Sequence, residues 1–130
     1  MPLYNSALGT GIDWTADTMR VALFRNGFVE DVTDENLSDI VGTEVSGYTR
    51  PALTSKTRSN AIRSILDAAD TTITGVTSTD LTHAVVFKDT GNASTSRLFA
   101  FFRLDGPRSI TGGTITLVWS QSGVAEVRYL

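Results

Sequence analysis

The chain has 130 residues, no cysteine and a formal net charge of −3. That length fits one domain, which can bury its own core without disulfides or metals. The lack of cysteine excludes disulfide bonds, a thiolate nucleophile and cysteine-ligated zinc, and the slightly acidic balance gives no electrostatic basis for binding nucleic acid.

The chain begins with a predicted arm, residues 1–11, which carries Leu3, Tyr4 and Leu8 and closes with Gly9-Thr10-Gly11. The arm has neither the basic region nor the apolar run of a signal peptide. No apolar stretch approaches the roughly 18 residues that a membrane helix needs, so no membrane partner is expected. Residues 12–130 are predicted to form the single folded domain.

The first elements of this domain are short. A largely apolar run predicts a strand at Met19–Arg25, which ends at the turn signal Asn26-Gly27. Apolar residues at helical spacing predict a short helix from Asp34 to Ile40. Two more short strands are predicted at Thr43–Tyr48 and Ala52–Thr57.

The segment Ser59–Asp70 supports two interpretations. Apolar residues recur at helical spacing from Ile62 to Ala69, whereas a strand would place Ile62, Ser64 and Leu66 on one face. Periodicity alone favours the helix.

The C-terminal half is dominated by a predicted β-hairpin. Two apolar runs, Thr82–Lys88 and Arg97–Leu104, flank the polar loop Asp89–Ser96. Glycine-containing turns separate the predicted strands, which are Thr71–Val76, Thr82–Lys88, Arg97–Asp105, Thr114–Trp119 and Val124–Leu130. The chain is therefore predicted to be mainly β, a single antiparallel β-sandwich (jelly-roll or immunoglobulin-like) of about eight short strands with one or two short helical turns.

Few residues offer chemistry. His83 is the only histidine, and its apolar strand neighbours Val85 and Phe87 favour a packed side chain over a catalytic one. Gly9-Thr10-Gly11 does not match a phosphate-binding loop, because no strand precedes it and Trp14 occupies the position where a dinucleotide-binding motif has its third glycine. A small hydrolase is disfavoured by one histidine and no cysteine, and no catalytic residue or cofactor is predicted.

Acidic side chains are densest around the predicted short helix. The group comprises Asp31, Asp34, Glu35 and Asp39, with Glu44 nearby. Its spacing is not that of a calcium-binding loop, and acidic residues also favour a helix N-terminus, so a solvated helix start is predicted rather than a metal site. Three arginines on predicted strands, Arg97, Arg103 and Arg128, are expected to cover sheet surface with their stems or to pair with carboxylates of another chain.

Three stretches, in this order, resemble small virion structural proteins of tailed bacteriophages. They are Tyr4-Asn5-Ser6-Ala7-Leu8 through Asp13-Trp14 to Leu23; Glu44-Val45-Ser46-Gly47-Tyr48 with Ala52-Leu53-Thr54; and Asp67-Ala68-Ala69-Asp70-Thr71-Thr72-Ile73-Thr74 with Ala84-Val85-Val86-Phe87-Lys88-Asp89-Thr90-Gly91 and Ser94-Thr95-Ser96. The resemblance spans nearly the whole chain. It implies a strand from Arg63 to Asp70, against the helical period.

The resemblance further implies a non-enzymatic role in many symmetric copies. The expected function is that of a capsid decoration or cement protein, a homotrimer on the outer surface of the virion that clamps neighbouring major capsid proteins. Such a protein needs a rigid body, an arm and edges that pair with neighbours. The expected interface residues lie in the arm and the last strand: Leu3, Tyr4, Leu8, Val127, Tyr129 and Leu130.

Two alternatives remain at this stage. Arms and edge strands serve ring assembly equally well, so a tail or head–tail component is one. The other is a carbohydrate-binding sandwich that uses Trp14, Trp119 or Tyr129 as a stacking platform, although Trp119 alternates with Leu117 as a core residue would.

Overall fold

The computed structural model describes residues 14–31, 33–58, 63–119 and 125–128, in which six strands form two antiparallel sheets. The strands are β1 (Met19–Arg25), β2 (Thr57–Arg58), β3 (Arg63–Asp67), β4 (Thr71–Lys88), β5 (Leu98–Leu117) and β6 (Ala125–Arg128). Their orders are β1-β4-β5 in one sheet and β2-β3-β6 in the other. The mainly-β, antiparallel class is confirmed, and the sandwich arrangement stays a prediction.

The elements with the strongest local signals form as predicted. β1 has the predicted bounds, and the turn after it places Gly27 at φ +104°, where a side chain would be strained. The predicted hairpin is the inner half of β4 and β5, with residues paired from His83↔Arg103 to Phe87↔Leu98.

The strand count is lower than predicted because predicted strands merge. Thr71–Val76 and Thr82–Lys88 are parts of β4, and most of Arg97–Asp105 and Thr114–Trp119 belongs to β5. Glycine-containing sequences that predict turns, such as Gly112-Gly113, lie inside β5, where the ladder is irregular. Between the pairs Leu81↔Arg108 and His83↔Arg103, for example, β5 carries more residues than β4. Such bulges bend a strand and increase its twist without ending it.

The β1-β4-β5 sheet is buried on both faces. The central run Ala84–Phe87 has no exposed surface at any of its four residues. One face contributes Val21, Leu23, Ala84 and Val86 to a core cluster that also holds Trp14 and Leu66, and the other contributes Phe24, Val85 and Phe87 to a second cluster with Phe28, Leu37 and Ile40. The second cluster exists because the loop after β1 folds over the sheet.

The predicted one or two short helical turns are confirmed as two 3₁₀ turns, Leu37–Asp39 and Val41–Thr43. A helix along the whole range from Asp34 to Ile40 is not formed. The backbone groups that an α-helix would use are bonded to the hairpin loop: Leu37 N–H donates to Ser96 O, Ser38 N–H to Ala93 O, and Leu98 N–H to Glu35 O. Tertiary hydrogen bonds therefore override the local helical spacing.

The strands predicted at Thr43–Tyr48 and Ala52–Thr57 are also wrong as regular strands. Glu44 and Ala52 make only isolated bridges, to Phe24 and Arg20 of β1. Between these two bridges the chain leaves the edge of β1 and returns to it. Of the second predicted strand, only Thr57 lies in a strand, β2.

The ambiguous segment forms a strand at Arg63–Asp67, and Ala68, Ala69 and Asp70 lie outside any strand. β3 occupies Arg63–Asp67, with β2 and β6 on either side, and Leu66 reaches the first core cluster. Residues 59–62 lie outside the described residues. The last predicted strand, Val124–Leu130, is confirmed at Ala125–Arg128, its remaining residues lying outside the described part of the chain.

Candidate functional site

The hairpin of β4 and β5 folds back on itself and encloses a cleft. The rings of Phe102 and Trp119 lie 5.3 Å apart between centroids. Seventeen residues of straight strand would separate them by roughly 56 Å. The irregular middle of the ladder, around Leu81 and Arg108, is where the hairpin must bend.

The cleft between the two halves has a volume of about 870 Å³. Its apolar lining consists mainly of half-buried side chains: Phe102, Leu104, Ile110, Ile115 and Trp119. Serine and threonine hydroxyls and the arginines Arg103 and Arg108 complete it. These groups suit binding of an apolar segment better than acid–base chemistry, since no acid or histidine lines the described wall.

The outer half of the hairpin is also the part with the least protection at its edge. β1 pairs with β4 only up to Leu81, so β4 from Thr71 to Asp80 extends past the end of β1. β5 is the edge strand of its sheet among the residues that the structure describes. Val118, directly after β5, is one of the most exposed large apolar residues described, at 72%.

Of the residues predicted as a sugar-stacking platform, Trp14 is not available for stacking. Trp14 is only 4% exposed, packs against Phe99 at 5.0 Å and donates its indole N–H to Asp67 O at 3.2 Å. Trp119 is half-buried and donates its indole N–H to Thr71 Oγ1 at 3.3 Å. Trp14 is therefore a core residue, and Tyr129 lies outside the described residues.

A second, polar cleft of about 590 Å³ lies beside β1. The Tyr48 hydroxyl accepts a hydrogen bond from Leu23 N–H and donates one to Glu44 Oε2, both at 2.6 Å. Arg50 donates to both oxygens of Glu44, from Nε at 2.8 Å and from a terminal nitrogen at 2.5 Å. The Glu44–Tyr48–Arg50 network lies where the chain leaves the edge of β1. There the Tyr48 hydroxyl accepts the hydrogen bond that a backbone carbonyl of a neighbouring strand would otherwise accept from Leu23 N–H.

A neighbouring ion pair extends the network to the hairpin loop. Arg20 Nε lies 2.7 Å from Asp89 Oδ2, and Arg20 also donates to Arg50 O at 3.1 Å. The Gly91 N–H and, after it, the Arg20 guanidinium lower the pKa of Asp89. Sequence reasoning missed this network, although the close spacing of Glu44, Tyr48 and Arg50 was its available signal.

Burial and the network change the acidity of its members. Burial, with the hydrogen bond to Glu44 after it, raises the pKa of the Tyr48 phenol far above its ordinary value. The hydrogen bond to Glu44 also raises the pKa of Arg50. The phenol is therefore locked in its protonated, donating form and the guanidinium in its charged form, which suits a structural clamp.

His83 is packed, as its neighbours predict. Its ring lies 4.8 Å from that of Phe28, and its Nδ1 lies 2.8 Å from Thr82 Oγ1. Its Nε2 is 3.5 Å from Glu30 Oε1, and Arg103 lies 3.8 Å from the other oxygen of Glu30. Burial lowers the pKa of His83, opposed by Glu30 and assisted by Arg103.

We expect this histidine to make the protein less stable in mild acid. Because its folded pKa is depressed, its contribution is complete above the ordinary histidine pKa of 6.5 and is lost as the pH falls below it. The melting temperature should decline from about pH 7 to pH 5, the range in which a histidine side chain ordinarily changes its charge. His83→Gln should flatten that decline; a decline that persists unchanged in the variant would contradict the assignment.

The acidic group serves local structure. Asp39 Oδ2 accepts hydrogen bonds from the N–H groups of Glu35 and Asn36, and Asp31 Oδ1 accepts one from Thr33 N–H. These backbone bonds lower the pKa of Asp39, while the Thr33 hydroxyl and N–H lower that of Asp31. Among the described residues, no three histidine or acidic side chains are grouped closely enough to hold a metal ion.

The predicted interface residues are mostly beyond what the structure describes. Leu3, Tyr4, Leu8, Tyr129 and Leu130 lie outside the described residues. Val127 lies in β6, where its backbone pairs with Ser64 of β3. Of the three arginines predicted to lie on strands, Arg103 and Arg128 do, and Arg97 makes an isolated bridge to Asn36.

The chain was compared with known proteins at the level of family, sequence and structure. No protein-family model matches it, and neither a curated protein nor a solved structure shows significant similarity. Within the described part of the chain, no helix has the length and apolar character to cross a membrane.

Proposed function

We propose that this protein is a non-enzymatic structural component of a tailed-bacteriophage virion. In this proposal it decorates the outer surface of the capsid as a homotrimer and stabilises contacts between neighbouring major capsid proteins. The proposal starts from the three stretches of sequence that resemble such proteins.

The observation that carries the proposal is how the polar and apolar groups are distributed. The charged groups of the polar cleft bind one another and the backbone, as Glu44 does with Arg50 and Arg20 with Asp89. The larger cleft is apolar and lies beside β5, which among the described residues is the edge strand of its sheet. The ion pairs therefore stabilise the fold, whereas the apolar surface at the edge of the sheet favours association with other chains.

A protein that holds neighbouring capsid proteins together also needs a rigid contact surface. The hairpin loop at residues 89–97 is tied internally, with Thr90, Asn92 and Ser96 sharing hydrogen bonds. The same loop bonds to the first 3₁₀ turn through Leu37 and Ser38. Such a loop can present a fixed surface at low entropic cost on binding.

We expect deletion of Met1–Leu8 to leave the domain folded but to weaken its attachment to particles. The anchor Trp14, buried against Phe99, remains in the shortened chain. The first residues of a domain usually add little to its stability, so the melting temperature should change little. Co-sedimentation with particles measures attachment, and Tyr4→Ala with the matched control Ser6→Ala tests whether the apolar arm residues matter. Equal attachment of the shortened and full-length chains would contradict the role of the arm.

The proposed location is tested on particles produced from the genome that encodes this chain. Quantitative mass spectrometry should find the chain in purified particles in many copies, and particle density should place it on the outer shell in contact with the major capsid protein. Density on the tail would replace decoration by the alternative tail role. Particles that lack the chain would refute the virion proposal altogether.

A further inference from the structure

The turn after β1 places two exposed residues between fixed neighbours. Asn26 and Gly27 are exposed, whereas Phe28 after them is buried in the second core cluster. Phe28 N–H donates to Arg25 O at 3.1 Å, which closes the turn. Asn26 N–H donates to Asp80 O at 2.8 Å and ties the start of the turn to β4. The dipeptide is therefore the exposed middle of a β-turn that is anchored at both ends.

Two groups in this turn are placed to react with each other. Among the described residues, neither the Asn26 side chain nor the Gly27 N–H forms a hydrogen bond. A bond between Asn26 Cγ and the Gly27 nitrogen would close a five-membered ring through the Cβ, Cα and carbonyl carbon of Asn26. Gly27 has no side chain to obstruct this approach, and a Cβ built there would meet only Thr43 Cγ2, at 3.8 Å.

The central peptide of the turn can rotate without opening the turn. Gly27 is the third residue of the turn and has φ +104°, as in a type II turn. A type I turn keeps the same closing hydrogen bond but has the opposite orientation of the central peptide, with a negative φ at the third residue. Glycine adopts either sign of φ readily. The Gly27 nitrogen can therefore turn toward the Asn26 side chain while the bond from Phe28 to Arg25 stays in place.

We propose that Asn26 is a site of spontaneous deamidation whose isoaspartyl product loosens the loop over the second core cluster. The Gly27 nitrogen loses its proton to hydroxide and bonds to Asn26 Cγ. The bond from Cγ to the side-chain nitrogen breaks, and that nitrogen takes up a proton from water and leaves as ammonia. Water then opens the succinimide at either carbonyl, which gives aspartate or isoaspartate. This modification goes beyond the proposed function and does not depend on it.

The two products differ in what they do to the fold. Aspartate keeps the backbone length and adds only an exposed negative charge, whereas isoaspartate runs the backbone through Cγ and lengthens the turn by one carbon atom. The ring of Phe28 lies 4.7 Å from that of Phe24, 4.8 Å from that of His83 and 5.8 Å from that of Phe101. A close-packed core does not adapt to such a shift without loss of contacts. Isoaspartate therefore displaces Phe28 or breaks its bond to Arg25.

The other described asparagines serve as internal controls. Asn92 is also exposed, but Ala93 follows it, and its Oδ1 accepts hydrogen bonds from Ser94 N–H at 3.0 Å and from the Ser94 hydroxyl at 2.8 Å. The methyl group and these bonds both hinder ring closure. Asn36 precedes a buried leucine. We expect Asn26 to deamidate about tenfold faster than either of them.

The test incubates the full-length chain in mildly alkaline buffer and follows each asparagine-containing peptide by mass spectrometry, with chromatography to separate aspartate from isoaspartate. As isoaspartate accumulates, the melting temperature of the modified chain should fall by about 5 °C. Asn26→Gln is the matched control, because its ring would need a further atom, and its melting temperature should stay constant over the same incubation. Asn26→Asp supplies the charge with a normal backbone and should melt like the freshly purified chain.

Deamidation of Asn26 that is no faster than that of Asn92 would overturn the proposed site. Isoaspartate at position 26 with an unchanged melting temperature would overturn the effect on the loop. The same holds for an equal loss in incubated Asn26→Gln, which would place the damage elsewhere, and for a melting temperature of Asn26→Asp as low as that of the modified chain, which would make charge the cause. None of these results bears on whether the chain is found in virions, which the particle experiments decide separately.

Discussion

Replacing Phe87 by alanine is expected to lower the free energy of unfolding by about 3–5 kcal/mol, as measured by chemical denaturation. Phe87 has no exposed surface and belongs to the second core cluster, under the loop that carries Phe28 and Leu37. Removing the ring leaves a cavity that rigid strands on one side and a hydrogen-bonded loop on the other cannot easily fill. The expected loss is a large share of the stability of a small domain.

The result distinguishes a sheet buried on both faces from one with a solvated face. Val86→Ala removes a fully buried side chain from the opposite face of the same strand, and it should also destabilise the protein measurably. The exposed Val29, at 72%, supplies the control, since Val29→Ala should change stability by no more than about 0.5 kcal/mol. If Phe87→Ala cost no more than Val29→Ala, the loop would not cover that face.

The apolar run around Phe87 shows what the sequence can and cannot predict. The run itself indicates a strand, and the polar loop after it indicates a hairpin, because both signals are local. A strand with one solvated face would alternate, whereas Ala84–Phe87 is apolar at every position, which is the pattern of a strand covered on both sides. Which segment supplies the second cover could not be predicted, because the helical spacing of Leu37 and Ile40 after β1 indicates a local turn and does not say against which face it packs.

The long strands were misjudged for a different physical reason. Gly112-Gly113 and Gly106-Pro107 are strong turn signals, yet both lie inside β5. A ladder can accept extra residues as bulges when neighbouring pairs hold the register, and that support comes from tertiary contacts such as Phe102 against Trp119. The local sequence therefore indicates where the strand becomes irregular, but not whether it continues beyond that point.

The same limit applies to the two clefts. The apolar cleft exists only because the hairpin bends, so its lining residues could be predicted to be half-buried but not to face one another. The polar cleft depends on Tyr48 replacing a backbone acceptor for Leu23, a non-local pairing that spacing along the chain does not encode. The contact between Trp14 and Phe99 is equally non-local, so the position of Trp14 near the arm does not reveal that its ring is buried.

The Tyr48 clamp leads to the second large expected effect, a loss of about 1–3 kcal/mol of stability in Tyr48→Phe. The substitution keeps the ring and removes the hydroxyl, which leaves Leu23 N–H without its acceptor and takes one donor from Glu44 Oε2, to which only Arg50 then donates. Glu44 is only 12% exposed, so water cannot readily replace the phenol. Denaturation of both proteins under the same conditions measures the loss.

A double-mutant cycle with Glu44→Gln tests whether the network acts as a unit. Because Tyr48 and Glu44 are in contact, their effects should differ from additivity by at least about 0.5 kcal/mol. Thr54→Ala is a suitable third site, since its exposed side chain has no recorded bond to the network, and its effect should simply add. Additive effects of Tyr48→Phe and Glu44→Gln would show that the phenol and the carboxylate do not stabilise each other.

The alkaline range gives an independent test of the same hydroxyl. The pKa of Tyr48 is raised in the folded state, so its contribution is complete below the unfolded value of 10.0 and is lost as the pH rises above it. Tyr48→Phe should therefore reduce the fall in stability above pH 10, even though the variant is less stable at neutral pH. In the unsubstituted protein, tyrosinate absorbance should show one of the three tyrosines ionising only as the chain unfolds. Complete ionisation of all three with the fold intact would mean that the phenol is not the buried donor that holds Glu44 against β1.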